Sequence, residues 1–176
     1  MKKLITLGFF CLCTAVHSFA AEPAKDEDAL TKVGESAPAF TVTTLAGDKI
    51  DLTALKGKVV LVNFFATWCG PCVAEMPHLE KEIWQKYRGQ KFAMIAIGRE
   101  HPNSELTDFQ KKQSVSFPLA GDPKREFYAK YAGKYIPRNY LINAEGKIVY
   151  QSMGFNPEEF AKLVATIDKE LKKTQP

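Results

Sequence analysis

Residues 58–72 read KVVLVNFFATWCGPC, an apolar run that leads directly into two cysteines. Residues 58–65 are almost continuously apolar, β-branched or aromatic, which is typical of a strand buried on both faces. After the second cysteine, apolar side chains recur at spacings of three and four, which predicts a helix. The cysteines therefore lie where a buried strand passes into a helix, a usual position for functional sites in open α/β sheets. The apolar side chains of the predicted helix are Val73, Met76, Leu79, Ile83 and Tyr87.

The spacing of the two cysteines suits reversible disulfide chemistry. Cys69 and Cys72 are separated by Gly70 and Pro71, so one helical turn can join their sulfurs in a small ring. At a helix N-terminus the unpaired backbone N–H groups favour thiolate over thiol, which predicts Cys69 as the nucleophile. Cys72 lies one turn further along and is better shielded, which suits the thiol that resolves a mixed disulfide. A zinc ligand pair is the alternative, but no second cysteine pair follows.

The N-terminus has the pattern of a secretory signal peptide over residues 1–20. Two lysines begin it, residues 4–16 form its apolar run, and Ser18-Phe19-Ala20 gives a small-x-small cleavage site. A transmembrane anchor is disfavoured because the run is short and a polar segment follows. Residues 21–32 (AEPAKDEDALTK) are charged and predict a flexible tether, which leaves one domain over residues 33–173. We expect an exported, periplasmic protein, membrane-tethered only if the leader is retained and otherwise without stable membrane insertion.

Cysteine usage and charge narrow the function further. Cys11 and Cys13 fall within the leader, after bulky residues that disfavour lipid attachment, so the mature chain would keep only Cys69 and Cys72. A bridge that closes so short a loop adds little stability, which argues against a purely structural disulfide. The formal net charge is +4, with basic residues scattered among acidic ones. We therefore expect no nucleic-acid partner.

Hydrophobic periodicity, caps and turn residues predict an alternating α/β order. A strand–helix–strand unit around the cysteines predicts parallel neighbours. The remaining predicted elements are a hairpin at 40–51, a strand at 92–97, a helix within 99–114, a strand at 115–119, a helix from 122 to 133, a hairpin at 140–153 and a final helix capped by Asn156.

Together these pieces resemble the thioredoxin fold, and more narrowly the exported TlpA/ResA-type thioredoxin-like proteins. The most specific segments are GESAPAF at 34–40, VNFFATWCGPC at 62–72, and Ile136-Pro137 followed by YLIN at 140–143. The resemblance covers about residues 33–173. It implies a single α/β thioredoxin-like domain, with a central mixed sheet flanked by helices, an extra N-terminal hairpin and a helical insert.

The resemblance also implies roles for residues outside the cysteine pair. Pro137 matches the proline that the family holds in cis beside the disulfide, although most prolines are trans. A cis bond there would expose the Ile136 backbone to an extended substrate strand. Arg138 stands where the family usually has threonine, which predicts an altered substrate preference. The residues expected to contact substrate are Trp68, Gly70, Pro71, Ile136 and Pro137.

Glu75 follows Cys72 by three residues, so a helix places it on the same face one turn along. The functional hypothesis is a proton carrier that takes the proton of Cys72, and the alternative is a solvated helix glutamate. Thioredoxins proper place a buried aspartate on the central strand, whereas Asn63 occupies the matching position here. TlpA/ResA-type proteins commonly carry a glutamate that matches Glu75. Pro77 is predicted to kink the helix.

The leading hypothesis is an exported thiol–disulfide oxidoreductase. The Cys69 thiolate would attack a substrate disulfide, and Cys72, helped by Glu75, would resolve the mixed disulfide. No cofactor and no bound metal are expected. The resemblance implies a reductase of protein disulfides that draws electrons from a membrane thiol donor. Apocytochrome c or other exported proteins would be its substrates, in cytochrome c maturation or in general redox homeostasis.

Two other hypotheses remain open. Thiol peroxidase is one, because Ala37-Pro38-Ala39-Phe40 also occurs in peroxiredoxin-like chains. Those chains need a proline seven residues and a threonine or serine three residues before the reactive cysteine, whereas Val62 and Ala66 stand there before Cys69. The other is a metal-binding module built from soft ligands. Its candidate ligands are Cys69, Cys72, His78 and His101.

Overall fold

The computed structural model describes residues 26–175. The predicted signal peptide, with its two cysteines, lies outside the described residues. Within residues 26–175, no helix combines the length and apolar character that crossing a membrane requires.

A five-stranded mixed sheet forms the centre of the domain, in the strand order β5-β4-β3-β6-β7. β3 lies in the middle, parallel to β4 and antiparallel to β6, and all of its residues are buried. The predicted strand buried on both faces is therefore confirmed, as is the separate N-terminal hairpin of β1 and β2. The strands are β1 (Thr41–Thr43), β2 (Lys49–Asp51), β3 (Val59–Phe65), β4 (Phe92–Arg99), β5 (Leu119–Asp122), β6 (Arg138–Ile142) and β7 (Ile148–Met153).

The α-helices of residues 26–175 contribute their buried apolar side chains to the same core, on one face of the sheet. The α-helices are α1 (Gly70–His78), α2 (Gln85–Tyr87), α3 (Asn103–Gln113) and α4 (Pro157–Lys173). α1 begins directly at the cysteine pair, as predicted. Between α1 and α2, residues Leu79–Trp84 have π-helical hydrogen bonding. Pro77, predicted to kink the helix, lies just before this wider segment and has no backbone N–H to donate to the Val73 carbonyl oxygen one turn earlier.

The two faces of the sheet bury separate apolar cores, because side chains along a strand alternate in direction. Leu61 and Phe65 of β3 face the core that includes α1 and α4. Phe64 faces the other core, where Tyr131 and Tyr140 pack against its ring at centroid distances of 5.3 and 6.0 Å. The final helix is capped by Asn156, as predicted, and contributes to the first core. Its buried apolar residues are Phe160, Leu163, Ile167 and Leu171.

Two predicted elements between β4 and β6 are wrong. The strand expected at 115–119 lies further along the chain, as β5, and pairs with β4. The helix expected from 122 to 133 is reduced to a 3-10 turn at Tyr128–Lys130. Asp122 explains the difference, because its carboxylate accepts backbone N–H groups from Glu126, Phe127 and Tyr128 and holds this segment as successive turns.

The predicted tether is partly an ordered piece of the domain. Residues 26–32, called the N-terminal strap below, lie against the segment that precedes β6. The Leu30 backbone N–H donates to the Tyr131 carbonyl oxygen at 2.9 Å, and Thr31 is buried. Residues 26–32 therefore pack against the domain, whereas a flexible tether was expected over residues 21–32. Residues 21–25 lie outside the described part of the chain.

Candidate active site

Cys69 and Cys72 form a disulfide at the N-terminus of α1, with their Cα atoms 5.2 Å apart. Cys69 is the N-cap, and its Sγ accepts the backbone N–H of Cys72 at 3.2 Å. Gly70 and Pro71 lie between them and are exposed. Cys69 is 6% exposed, whereas Cys72 is fully buried. Cys69 is therefore the more accessible of the two cysteines.

The segment before β6 reaches the disulfide from the other side. The Ile136–Pro137 peptide bond is cis, which confirms that prediction. The Ile136 carbonyl oxygen lies 3.7 Å from Cys69 Sγ. Tyr135, which sequence analysis did not single out, is 57% exposed beside this segment. Its signal in the sequence was an aromatic residue two positions before the proline.

Glu75 is buried, not solvated. The residue is 1% exposed, and each of its carboxylate oxygens accepts a hydrogen bond from an asparagine amide. Asn139 Nδ2 donates to Oε1 at 2.6 Å, and Asn63 Nδ2 donates to Oε2 at 3.0 Å. Burial raises the pKa of Glu75 to about 7, although the two amide hydrogen bonds act to lower it. A carboxylate with this pKa can take or release a proton near neutral pH.

Asn63 and Asn139 face each other across the β3–β6 pair, so the two amides and the carboxylate form one buried polar cluster. Asn63 Nδ2 also donates to Asn139 Oδ1, at 2.9 Å. Sequence analysis considered Asn63 only as a residue that cannot titrate, and it missed Asn139. The available signal was an asparagine in each of two strands that are otherwise strongly apolar.

Comparisons with known proteins show which family the chain belongs to. The chain matches the Redoxin family over residues 32–168. It belongs to the redoxin family. Among its relatives, the thiol-disulfide oxidoreductase ResA of Bacillus thuringiensis (strain Al Hakam) is 36% identical over 128 residues, 73% of each chain. ResA of Bacillus thuringiensis subsp. konkukian (strain 97-27) is 32% identical over 165 residues, which cover 94% of this chain and 91% of the relative.

A solved structure is also similar to this redoxin-family chain in both sequence and fold. A Bacteroides thetaiotaomicron protein, provisionally named a protein disulfide isomerase, is 44% identical with a TM-score of 0.80. The match covers 82% of this chain and 93% of that protein. The fold, the cysteine pair and these relatives identify a TlpA/ResA-type thioredoxin-like protein and a thiol–disulfide oxidoreductase.

The Trp68 ring of this redoxin is exposed next to Cys69. Trp68 is 64% exposed, yet the Arg99 guanidinium carbon lies 5.7 Å from the centre of its ring. Arg99 also lies 5.2 Å from the Tyr128 ring centre, so one cation bridges the surface ring and a buried one. Cation–π attraction at such distances restrains the tryptophan without covering it.

Arg138 does not lie where substrate would contact it. Its side chain is 1% exposed and forms an ion pair with Asp26 of the N-terminal strap. Adjacent strand residues point to opposite faces, and the next residue, Asn139, contacts Glu75. The Arg138 side chain therefore points away from the Glu75 cluster, and the altered substrate preference expected from this residue stays a prediction.

The four candidate metal ligands are not brought together. His78 Nδ1 lies 2.5 Å from Glu82, and its ring packs on Phe155. His101 is buried, accepts the Thr67 backbone N–H at Nε2, and lies 2.8 Å from Glu105 through Nδ1. Within residues 26–175, no group of three or more metal-ligating side chains is clustered.

Proposed function

We propose that this thiol–disulfide oxidoreductase is exported and reduces protein disulfides through Cys69 and Cys72. The observation that carries the proposal is the buried Glu75, held by two amides one helical turn from the shielded Cys72. A carboxylate whose pKa is about 7 suits the removal of a thiol proton at neutral pH. A merely structural disulfide has no use for such a base.

The reduction begins with the dithiol form of the protein. The Cys69 thiolate attacks one sulfur of a substrate disulfide, forms a mixed disulfide and releases the other substrate sulfur as a thiolate. Cys72 then loses its proton to Glu75 and attacks Cys69 Sγ. This second step breaks the mixed disulfide, releases the second substrate thiolate and leaves the Cys69–Cys72 disulfide. Two electrons pass from the protein to the substrate.

The surface around Cys69 supports a protein or peptide as the substrate. Ile136 and Pro137 border the outer sulfur, and the Ile136 backbone suits pairing with an extended substrate strand. Trp68, the neighbour of Cys69 in the chain, and Tyr135, the neighbour of Ile136, add exposed aromatic surface. Aromatic side chains supply much of the contact energy at interfaces. These residues are therefore proposed to bind substrate, together with Gly70 and Pro71.

The proposed direction of electron flow and the proposed cellular location of the protein rest on its sequence. Gly70 and Pro71 between the cysteines resemble the reducing thioredoxins, which lie at the low end of known reduction potentials. The pattern of residues 1–20 supports export to the periplasm, with a membrane tether if the leader is retained. A reductase in an oxidising compartment needs electrons from outside it, so we include a membrane thiol donor. Apocytochrome c is one proposed substrate, as the sequence resemblance to TlpA/ResA-type proteins implies.

A direct exchange experiment tests this function. The reduced chain beginning at Ala21 is mixed with a peptide that contains one internal disulfide, and both products are weighed by mass spectrometry. We expect the protein to lose two hydrogens as the peptide gains two. Rapid consumption of hydrogen peroxide without exchange would instead support the peroxidase hypothesis. Stoichiometric metal in the freshly purified chain would support the metal-binding one.

A further inference from the structure

Arg138 is a buried cation, and within residues 26–175 its charged partner is Asp26. Its Nη1 and Nη2 both bond the Asp26 carboxylate, the second at 3.1 Å, in a two-pronged pair. The Arg138 side chain is 1% exposed and that of Asp26 is 23% exposed. The hydrogen bond from Arg138 is the largest influence that holds the pKa of Asp26 below its ordinary value. The pair is therefore charged at neutral pH.

The same arginine also fastens the loop that borders the active site. Its Nε donates to the Lys134 carbonyl oxygen at 2.9 Å, so the side chain spans residues 134–137, called the proline loop below. Inside this loop, Tyr135 has a φ of +65°, a conformation that non-glycine residues rarely adopt unless their surroundings hold them. The Tyr128 hydroxyl donates to the Tyr135 carbonyl oxygen at 2.6 Å and supplies a second restraint.

The N-terminal strap continues these restraints along the preceding segment. Ala29 forms an antiparallel bridge with Ala132. The Asp28 carbonyl oxygen accepts the Gly133 backbone N–H at 2.9 Å, and the Asp28 carboxylate lies 3.6 Å from Lys134 Nζ. The strap thus follows the chain up to the first residue of the proline loop.

We propose that Asp26 and Arg138 are positioning residues for substrate: the strap holds the proline loop in the shape that docks a peptide beside Cys69. The proposal rests on the proposed function, because it assigns the Ile136 backbone to substrate binding. The proline loop lies directly beside the reactive cysteine, since the Ile136 carbonyl oxygen is 3.7 Å from Cys69 Sγ. The strap therefore acts on peptide docking, while the sulfur chemistry belongs to Cys69 and Cys72.

Removal of the Asp26 charge has a clear physical consequence. A buried guanidinium without its carboxylate is strongly destabilised, so it must move toward water or toward other acceptors. That movement weakens the Arg138 bond to Lys134 and loosens the proline loop. A small disulfide, which does not pair with the loop backbone, is affected less than a peptide. The ratio of the two reaction rates is therefore the informative quantity.

The experiment uses the Cys72→Ser chain, which stops after the first exchange. Its Cys69 thiolate reacts either with dithiobis(nitrobenzoic acid) or with a short peptide whose cysteine is activated by the same thionitrobenzoate group. Both reactions release the same coloured thiolate, so the ratio of their rate constants isolates peptide docking. Asp26→Asn is compared with Glu27→Gln, which removes one charge from the exposed neighbouring position. Circular dichroism checks that both variants are folded.

We expect Asp26→Asn to lower the peptide-to-small-disulfide ratio about tenfold, since small misplacements of docking groups cost one to two orders of magnitude in rate. Glu27→Gln keeps the parent ratio. Equal ratios in the two variants would overturn the inference. If Asp26→Asn does not fold, Asp26→Glu replaces it, because it keeps the charge but shifts the pair, and an unchanged ratio again overturns the inference. Failure of the parent Cys72→Ser chain to react with either disulfide would overturn the proposed function instead.

Discussion

Oε1 of Glu75 accepts a 2.6 Å hydrogen bond from Nδ2 of Asn139, which joins the active-site helix α1 to strand β6. Asn63 on β3 holds the other carboxylate oxygen. Both amides stabilise the charged form, whereas burial favours the neutral form and is the larger effect. The helix thus supplies the acid–base group, and the two strands adjust its pKa.

Glu75→Gln should remove a pH-dependent loss of stability. Because the pKa of Glu75 is about 7 in the folded protein, the unfolded chain releases this proton at lower pH than the folded chain does. The folded state is therefore favoured below the ordinary pKa of glutamate and loses that advantage as pH rises through about 7. Relative to the wild type, the free energy of unfolding of Glu75→Gln should rise by about 3 kcal/mol between about pH 4 and pH 8.

Denaturant unfolding of the oxidised protein at both pH values measures this difference. Glu145→Gln is the matched control, because Glu145 is exposed in a turn and its loss should leave the pH dependence unchanged. If the free energy of unfolding has the same pH dependence in the wild type and in Glu75→Gln, the raised pKa assigned to Glu75 is contradicted.

Glu75→Gln should also change the pH dependence of the resolving step. In the wild type, the rate at which Cys72 displaces a bound thiol should rise through about pH 7, as Glu75 becomes able to accept a proton. Without the carboxylate, the rise should move toward the ordinary thiol pKa of about 8.5. Stopped-flow release of a coloured thiol from a preformed mixed disulfide on Cys69 measures both profiles. Identical profiles would show that Glu75 takes no part.

Asn139→Ala should raise the pKa of Glu75 further. The Asn139 amide stabilises the carboxylate, so its loss leaves burial less opposed. We expect the pH midpoint of the resolving step to move upward by about one pH unit, with the Cys69 attack step unchanged. Ser152→Ala is the control, because Ser152 lines the small cavity beside Glu75 without a hydrogen bond to it. A midpoint that stays in place, or moves downward, contradicts the assigned role of the amide.

Cys72→Ser should trap substrate as a mixed disulfide through Cys69. Cys69 is 6% exposed and caps α1, whereas Cys72 is fully buried. Non-reducing gels followed by peptide mass spectrometry identify the linked cysteine, and Cys69→Ser serves as the reciprocal variant. Recovery of an equally abundant adduct through Cys72 would reverse the assigned roles.

The local parts of this structure were readable from the sequence, because short-range chemistry determines them. The uninterrupted apolar run of β3, the helix start at Cys69 and the Asn156 cap all depend on neighbours within a few positions. The prediction of a cis bond at Pro137 depended on the resemblance to a family, since most X-Pro bonds are trans.

The parts that were missed depend on contacts between distant positions. The burial of Arg138 was not predicted, because a charged side chain is costly to bury without a partner and its partner Asp26 lies 112 positions earlier. The role of Asn139 depends on its hydrogen bond to Glu75, which is 64 positions away. Asp122 does bind nearby backbone N–H groups, as a helix cap would, yet the chain beyond it forms turns. Local rules identified that residue as a cap but did not determine the structure that follows.

The reduction potential of the Cys69–Cys72 pair is the most direct test of the proposed reductase. The chain beginning at Ala21 is equilibrated with thiol–disulfide buffers, and the fraction of disulfide is counted after rapid alkylation. We predict a value near or below about −270 mV, in the range of the reducing thioredoxins. A value above about −180 mV would place the protein among oxidants and isomerases and would contradict the account.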